Sequence, residues 1–362
     1  MKIKLSKENL DKQPKKYTRL ILTEDKPSWH RLVETKDGQL EYRMGAGKRN
    51  DMTPRQFRLL VRSIIQAAKS HQIEYLAVHL GPMGCPKLEA MGDEWFFRTL
   101  AENLHLASYE FNTYKTKQNE TKALKEIIIC GAMNKQEETA FKAGETIGAA
   151  TNTARDIINT PACDMTPADL AQAAKKAVVG TKATVKVLGE KELKKLNMGA
   201  LLAVGQGSEN ESKLIVIEYY GAGKNAGKPI VLAGKGITYD TGGLNVKPSG
   251  AMHDMHMDMG GSGAVIGTMA AIAQLKLKKN VIAVIAAAEN AVSDKAMRAG
   301  DIITSMSGKT IEVMHTDAEG RLVLADALTY SERYEPTVVL DVATLTGAAL
   351  VALGQQATAV MS

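Results

Sequence analysis

Cysteine is scarce in this chain of 362 residues, and its three copies exclude two kinds of site. Cys85, Cys130 and Cys163 are odd in number and widely spaced, and no C-x-x-C pair occurs. The chain therefore has neither the disulfide framework of a small secreted protein nor a thiolate zinc site. We expect all three cysteines to be reduced and structural.

Long apolar runs are also missing. No run approaches the roughly 18 residues that a membrane span needs. The N-terminal stretch MKIKLSKENLDKQPKKYTR is polar and basic and has no apolar core for export. We therefore expect a cytoplasmic protein without a membrane partner.

The net charge of +6 comes from scattered lysines and arginines, with short clusters at the N-terminus, at 115–125 and at 276–279. Such clusters are typical of solvated faces. No aromatic residues interleave with them, and no recognition motif for nucleic acid occurs. No motif therefore supports DNA as a partner, and the question of DNA binding stays open.

The first part of the chain predicts a small α/β domain. Runs at 74–80 and 126–132 are typical of buried strands, and residues 54–70 have the apolar spacing of an amphipathic helix. We assign residues 1–135 to this N-terminal domain and a long helical stretch at 136–158 to the link that follows it.

The remaining residues, 159–362, predict a larger α/β domain. Continuous Val/Ile runs alternate here with helical runs such as GAVIGTMAAIAQLK at 263–276. This alternation is typical of a central, largely parallel sheet flanked by helices. In such sheets, sites form at the carboxyl ends of the strands.

Charged residues cluster around three of the predicted strand ends. They are Lys235, Asp240, Lys247, Asp258, Asp317, Glu319 and Arg321. If the strand ends converge, four carboxylates come together, and they cannot all ionise unless cations compensate them. Two divalent metals would do so, and a pair about 3.5–4 Å apart is the arrangement of many hydrolases. The alternative is that the carboxylates are separate surface groups or ordinary ion pairs with the neighbouring basic residues.

Other kinds of site find less support. The glycines at 234–243 and 259–263 lack the spacing of phosphate-binding loops, so we expect them to let the backbone pack closely at a crowded site. His253, His256 and His315 are possible metal ligands, although a lone histidine is more often an ordinary hydrogen-bonded side chain. No serine or cysteine nucleophile with a paired base is evident.

The same segments resemble the signature segments of the leucyl aminopeptidase family, the cytosolic M17 metallopeptidases. GKGITYDTGGLNVKP, MDMGGSGAV and HTDAEGRLVLADAL resemble them closely. ARDIINTPACDMTPADLA, MGALLAVGQGS, RAGDIITSMSGKTIEV and DVATLTGAALVALG also resemble the family, and all segments occur in the family's order. The resemblance is strong from about residue 150 onward and weak before it.

The resemblance implies a two-metal aminopeptidase that removes N-terminal residues, leucine and similar ones, from peptides. Five residues match its metal ligands: Lys235, Asp240, Asp258, Asp317 and Glu319. Asp240 and Glu319 match bridging carboxylates, Asp317 a ligand of the first metal, and Lys235 and Asp258 ligands of the second. The metals implied are Mn²⁺ or Zn²⁺, with Mg²⁺ or Co²⁺ as further candidates. Lys235 can ligate only as a neutral amine, so the metal must displace its proton.

The resemblance also assigns the chemistry. Lys247 matches the residue that polarises the scissile carbonyl, and the nucleophile is a water that bridges the metals. Arg321 has no accessible neutral form and cannot be the base itself. The resemblance implies that Arg321 holds a bicarbonate ion, which acts as the base, and a planar guanidinium suits that planar anion. The pocket for the substrate's first side chain is matched in part by Met255, Thr344 and Gly347.

Two departures from the family raise further expectations. His315 stands where the family usually has Asn, which could alter the surroundings or the preference of the metals. The chain also stops at Ser362, whereas family members continue, so we expect either a fragment or a short form that depends on assembly, the family's assembly being a homohexamer. The alternatives are a non-catalytic DNA-binding or regulatory relative that has lost activity through C-terminal shortening, and another two-metal hydrolase such as a phosphoesterase.

Overall fold

The computed structural model describes residues 1–27, 29–79, 84–116 and 124–362. The chain divides into two compact units, Met1–Asn152 and Thr153–Ser362. The division lies inside one long helix, Lys135–Asn159. Most of the basic cluster expected at 115–125, and the last residue of the strand expected at 74–80, lie outside the described residues.

The first unit is a sheet covered by helices. Its strands are β1 Lys2–Ser6, β2 Thr18–Thr23, β3 His30–Glu34, β4 Leu40–Gly45, β5 Tyr75–Val78 and β6 Glu126–Cys130. Its helices are α1 Pro54–Ser70, α2 Pro86–Glu89 and α3 Asp93–Ser108, and the long helix Lys135–Asn159 is α4. In the described residues the strand order is β1-β6-β5-β2-β4-β3, and only the β3–β4 pair is antiparallel.

Helix α1 shows why the local sequence folds as predicted. Pro54 occupies its first turn, and Thr53 caps it in a reciprocal capping box with Gln56. Phe57 and Ile64 are buried on its inner face and form a core with α3 and the sheet. The amphipathic helix predicted at 54–70 is therefore confirmed.

The second unit is the larger of the two and carries the sheet predicted for residues 159–362. Its strands are β7 Thr184–Leu188, β8 Lys213–Tyr220, β9 Ile230–Asp240, β10 Asn280–Asn290, β11 Ile302–Thr304, β12 Thr310–Glu312 and β13 Val338–Val342. Its helices are α5 Pro167–Ala177, α6 Glu190–Lys195, α7 Gly199–Gly205, α8 Gly260–Gln274, α9 Glu319–Ser331 and α10 Gly347–Leu353. Residues 153–362 are all described, and their main sheet has the order β13-β9-β10-β8-β7, beside a small β11–β12 hairpin.

The predicted α/β architecture is confirmed, with parallel pairing concentrated where the charged residues lie. Strands β13, β9 and β10 are parallel, whereas β8 and β7 join the sheet antiparallel. Helices α5 and α8 pack on one face, and α7 and α9 pack on the other. Strand β10 is almost wholly buried because both of its faces are covered, which explains its continuous apolar run.

Two expectations about the chain as a whole can be compared with the structure. Among the described residues, no helix combines the length and the apolar character that crossing a membrane requires. Cys85 and Cys130 are buried and Cys163 is exposed, and no disulfide bond joins any of these three described residues.

Candidate metal centre

The site begins at β9, which carries two of the charged residues. The sequence places Lys235 and Asp240 after a strand, but the structure places both within β9, at its middle and its last residue. Gly234 and Gly236 flank Lys235, and a Cβ on either would approach Ser262 of α8. The absence of these side chains lets α8 pack against the strand on the face opposite to Lys235.

A β-bulge in β9 brings Lys235 and Asp240 to the same face of the sheet. Five positions separate them, and strict alternation would place them on opposite faces. Strand β10 pairs its Ala288 with Ile237 and its Asn290 with Asp240, so β9 contains one extra residue over this stretch. That extra residue reverses the alternation, and Asp240 faces the α9 side together with Lys235.

The other acidic residues come from the loops beside α8 and α9. Asp258 follows a short 3-10 helix, Met255–Met257, and precedes α8. Asp317 precedes α9, and Glu319 is its first residue. Oxygens of Asp240, Asp317 and Glu319 all lie within 4.8 Å of one another.

Two lysines pair with these carboxylates. Lys235 Nζ lies 2.8 Å from Asp258 Oδ2 and 2.9 Å from Glu319 Oε1, and it donates to the Thr344 carbonyl at 2.9 Å. Lys247 Nζ lies 2.8 Å from Asp240 Oδ2 and 2.6 Å from Asp317 Oδ1. The four carboxylates are therefore not separate surface groups, and the ion pairs of the alternative hypothesis are present.

Burial and charge act against each other on these groups. Burial by itself lowers the pKa of Lys235, but the carboxylates of Asp258 and Glu319 outweigh it and raise the pKa above the ordinary lysine value. Burial likewise lowers the pKa of Lys247, and the hydrogen bonds to Asp240 and Asp317 raise it more. Burial raises the pKa of Asp258, and the Lys235 ammonium limits the rise.

The donor set fits divalent cations. Four carboxylates against two ammonium groups leave a surplus of negative charge in a buried place. Glu319 Oε2 is buried and accepts no hydrogen bond from the part of the chain that the structure describes. An uncompensated buried oxygen of this kind is costly without a ligand. Oxygen donors with one amine suit Mn²⁺, Zn²⁺, Mg²⁺ or Co²⁺.

The remaining candidate residues differ in their exposure and in their contacts with this cluster. Arg321, in the first turn of α9, is exposed and makes no ion pair or hydrogen bond with any described residue. Met255 is half-buried three residues before Asp258. Thr344 donates to Asp258 Oδ1 at 2.8 Å, so its side chain reaches the cluster. Gly347 is exposed, and a Cβ on it would meet no atom within 4 Å.

The three histidines do not join the acidic cluster of Asp240, Asp317 and Glu319 that the described residues form. His253 and His315 are exposed and His256 is half-buried. The Nδ1 of His315 accepts the backbone N–H of Asp317 at 3.2 Å, so His315 supports the loop that carries a candidate ligand.

Three polar residues of the site were missed by the sequence analysis. Asn245, Asn290 and Thr316 form a hydrogen-bonded network that joins the loops around Asp240 and Asp317. Thr316 is fully buried, and its hydroxyl donates to the Gly242 carbonyl at 2.6 Å. The available signal was the polar pair Glu289–Asn290, which ends the apolar run of β10.

Comparison with known proteins identifies the family to which the chain belongs. The model of the cytosol aminopeptidase family, catalytic domain, matches residues 152–362, and that of the family's N-terminal domain matches residues 42–118. The chain belongs to the cytosol aminopeptidase family. The resemblance and the fold predicted from the sequence are thereby confirmed.

Several relatives place the chain within the family. It is 42% identical over 88% of its length to a probable cytosol aminopeptidase of Haemophilus influenzae (strain PittEE), of which it spans 64%. It is 38% identical over 98% of its length to a probable cytosol aminopeptidase of Shewanella loihica, of which it spans 72%. The chain therefore spans about two thirds of the length of these family members.

A solved structure has the same fold. The bottromycin maturation enzyme BotP in complex with Mn superposes with a TM-score of 0.80 and 30% sequence identity. The superposition covers 93% of this chain and 74% of that protein. This neighbour binds manganese, a metal that the oxygen-rich cluster described above also suits.

Proposed function

We propose that the chain is a two-metal aminopeptidase that hydrolyses the N-terminal residue, leucine and similar ones, from peptides. The observation that carries the proposal is the buried cluster of four carboxylates with two lysines, whose negative charge exceeds its positive charge. Membership of the family supports the reaction, and the manganese complex of BotP supports the use of divalent metal.

The residues that would hold the two cations are Lys235, Asp240, Asp258, Asp317 and Glu319. The cations would polarise the substrate's carbonyl group and activate a water for attack. Asp240, Asp317 and Glu319 offer oxygens close enough to share one site. Lys235 would ligate as a neutral amine, exchanging its ion pairs with Asp258 and Glu319 for a bond to metal.

Lys247 would polarise the scissile carbonyl. Its ordinary pKa of about 10.4 already keeps the ammonium protonated at neutral pH. Burial lowers this pKa, and the hydrogen bonds to Asp240 and Asp317 raise it more. Its side chain is about one-seventh exposed, so the charge reaches the open side of the cluster. A fixed positive charge there stabilises the negative charge that develops on the carbonyl oxygen.

Arg321 would hold a bicarbonate ion that acts as the base. The guanidinium is exposed and unpaired among the described residues, so it is available for an anion. Its planar fork suits a planar anion bidentately, and its position in the first turn of α9 adds the favourable end of the helix dipole.

The pocket for the first side chain of the substrate would include Met255, Thr344 and Gly347. Thr344 supports this role best, because it contacts both Lys235 through its carbonyl and Asp258 through its hydroxyl. A substrate amine bound near Asp258 would therefore place its side chain beside this segment.

We further propose a homohexamer in the cytoplasm. The resemblance to the family suggests the number of subunits, and exposed apolar side chains support association in general. Leu340 of β13 is 52% exposed and Val351 of α10 is 90% exposed. Apolar surface on an edge strand favours contact with another chain. Sedimentation of the purified chain would measure its assembly.

The test of the activity is hydrolysis of leucine p-nitroanilide by the full chain with added Mn²⁺ or Zn²⁺. We expect metal-stimulated release of p-nitroaniline, and a loss of at least about 100-fold in Asp317→Ala, since a ligand is removed. Glu312→Ala, which removes an exposed carboxylate of β12, is the matched control and should keep full activity. A folded chain that is inactive with every metal rejects the proposal.

If that inactive chain also retards duplex DNA in a salt-dependent manner, the DNA-binding alternative is favoured.

A further inference from the structure

Asn290 lies beside the metal centre without being a candidate ligand. It is the last residue of β10 and is 1% exposed. Its side-chain amide donates to Asp240 Oδ1 at 2.8 Å and to the Thr316 carbonyl at 3.2 Å. Both amide hydrogens are therefore used within the site.

Asp240 presents its two oxygens to different surroundings. Oδ1 accepts two hydrogen bonds, from Asn290 and from the backbone N–H of Gly242 at 2.9 Å. Oδ2 faces the cluster, where Lys247 Nζ lies 2.8 Å away. The two donors on Oδ1 therefore fix the carboxylate so that one oxygen points into the cluster.

The backbone around Asn290 keeps this arrangement rigid. Thr241 donates to the Asn290 carbonyl through its backbone N–H at 3.0 Å and through its hydroxyl at 2.8 Å. A Cβ on Gly243, which has φ +65°, would lie 2.9 Å from Asn290 Oδ1. Only a glycine at this position leaves room for the amide.

The network also reaches the segment that carries Asp317. Thr316 accepts from Asn290 through its carbonyl, and it is held by Asn245 from the loop after β9. Asn290 thus connects the strand that ends in Asp240 with the loop that ends in Asp317, two segments far apart in sequence.

We propose that Asn290 is a positioning residue that orients the Asp240 carboxylate for cation binding. The inference rests on the proposed metal-dependent function. The loss of the amide would free Asp240 to rotate and would leave Oδ1 with a single donor. Metal affinity would therefore fall, although Asn290 contacts no cation itself.

The experiment measures Mn²⁺ affinity of the full chain by calorimetry. We expect Asn290→Ala to weaken Mn²⁺ binding by about 10- to 100-fold, the usual effect of losing a hydrogen bond to a metal ligand. Asn280→Ala is the matched control. Asn280 is the buried first residue of the same strand, and its amide donates to the Gly223 carbonyl and accepts from Ala222, away from the metal centre. Asn280→Ala should bind Mn²⁺ as the wild type does.

A double-mutant cycle distinguishes positioning from a general structural role. In an Asp240→Ala background, Asn290→Ala should weaken Mn²⁺ binding by less than about twofold further, because the carboxylate that it orients is gone. An equal loss in both backgrounds overturns the proposal. Asn290→Leu, which has nearly the same shape but no donor, provides the measurement if Asn290→Ala does not fold, as judged by circular dichroism.

Failure of this inference differs from failure of the proposed function. A wild type that binds no divalent cation contradicts the metal centre as a whole. The other outcome is a wild type that binds Mn²⁺ and an Asn290→Ala or Asn290→Leu variant whose Mn²⁺ affinity is within twofold of it. That outcome contradicts only the role of Asn290.

Discussion

Gly320 leaves the space in which the Lys235 side chain lies. A Cβ at this position would be 2.7 Å from Lys235 Cε and 2.8 Å from Nζ. Gly242, with φ +85°, likewise lies where a Cβ would be 2.9 Å from Asp317 Oδ1. The expectation that glycines allow close packing at a crowded site therefore applies on both sides of the cluster.

The substitution Gly320→Ala tests this packing. The added methyl group must displace a buried lysine that has three partners, so we expect a loss of about 1–3 kcal/mol in the free energy of unfolding. Mn²⁺ affinity should fall as well, because Lys235 is a candidate ligand. Denaturant titration and calorimetry measure the two effects.

Gly189→Ala is the matched control for Gly320→Ala. A Cβ on Gly189 would make only ordinary contacts, the nearest at 3.5 Å. Gly189 caps α6, where replacement by Ala costs less than about 1 kcal/mol, and Mn²⁺ affinity should not change. Equal effects of the two substitutions would show that Gly320 has no special role.

At the scale of elements, helix α9 carries the site at one end and an anchor further along. Asp326 is fully buried, and its carboxylate accepts the N–H of Leu201 at 2.9 Å and that of Met306 at 2.8 Å. These bonds attach the start of α7 and the loop after β11 to α9. Because α9 begins with Glu319, the anchor also holds a candidate ligand in place.

Asp326→Ala should lower the free energy of unfolding by about 3 kcal/mol. Two backbone donors, that of Leu201 buried and that of Met306 partly buried, would lose their acceptor, and an unsatisfied buried donor costs about 1–3 kcal/mol. The matched control is Ser331→Ala, in the same helix. Ser331 is also fully buried, but among the described residues its hydroxyl bonds only to the Ala327 carbonyl, so its loss should cost under about 1 kcal/mol. If both variants unfold at the same denaturant concentration, the anchor contributes nothing.

At the scale of the whole molecule, each unit has its own core, and the core of the first unit borders a pair of groups whose pKa values are shifted. In the first unit, the Tyr17 hydroxyl donates to Glu126, and Lys4 Nζ lies 2.9 Å from Glu126 Oε2. The hydrogen bond from Tyr17 lowers the pKa of Glu126 below its ordinary 4.5, with Lys4 adding to the effect. The same bond raises the pKa of Tyr17 from 10.0 to about 12, with burial adding to the effect.

The signs of these shifts define a pH window for the first unit. The contribution of Glu126 is present above about pH 4.5 and is lost as the pH falls. The contribution of Tyr17 is present below about pH 10 and is lost as the pH rises toward 12. Tyr17→Phe should therefore flatten the stability profile at both ends. Urea unfolding at about pH 3.5, 7 and 11 measures this.

Tyr75→Phe is the matched control for the pH profile. Tyr75 packs against Tyr17 edge to face, with ring centroids 5.8 Å apart, and no hydrogen bond of its hydroxyl occurs within the described ranges. Loss of its hydroxyl should leave the acid limb unchanged and should alter the alkaline limb less than Tyr17→Phe does, because the charge of Tyr75 is the smallest of the causes that raise the pKa of Tyr17. A wild-type profile as flat as that of Tyr17→Phe would contradict the window.

Local patterns were sufficient to predict several elements. The amphipathic helix predicted at 54–70 is α1, which Thr53 caps. The strand predicted at 126–132 contains β6. Helix caps and apolar runs depend on residues that are close in the chain, so the sequence alone is enough to predict them. The short strands β1 to β4 were not assigned one by one. β1 pairs with β6 and β2 pairs with β5, and such strands depend on contacts with distant parts of the chain.

The sequence by itself determined the fold class, the family and the acidic and basic residues from which a metal centre can be built. Only the tertiary structure decided how they meet. The bulge in β9 cannot be read from residue spacing, yet it places Asp240 on the same face as Lys235. The role of Asn290 also depends on it, since the same register sets Asn290 beside Asp240. Strand register arises from long-range pairing, and a shift of one residue reverses which face a side chain takes.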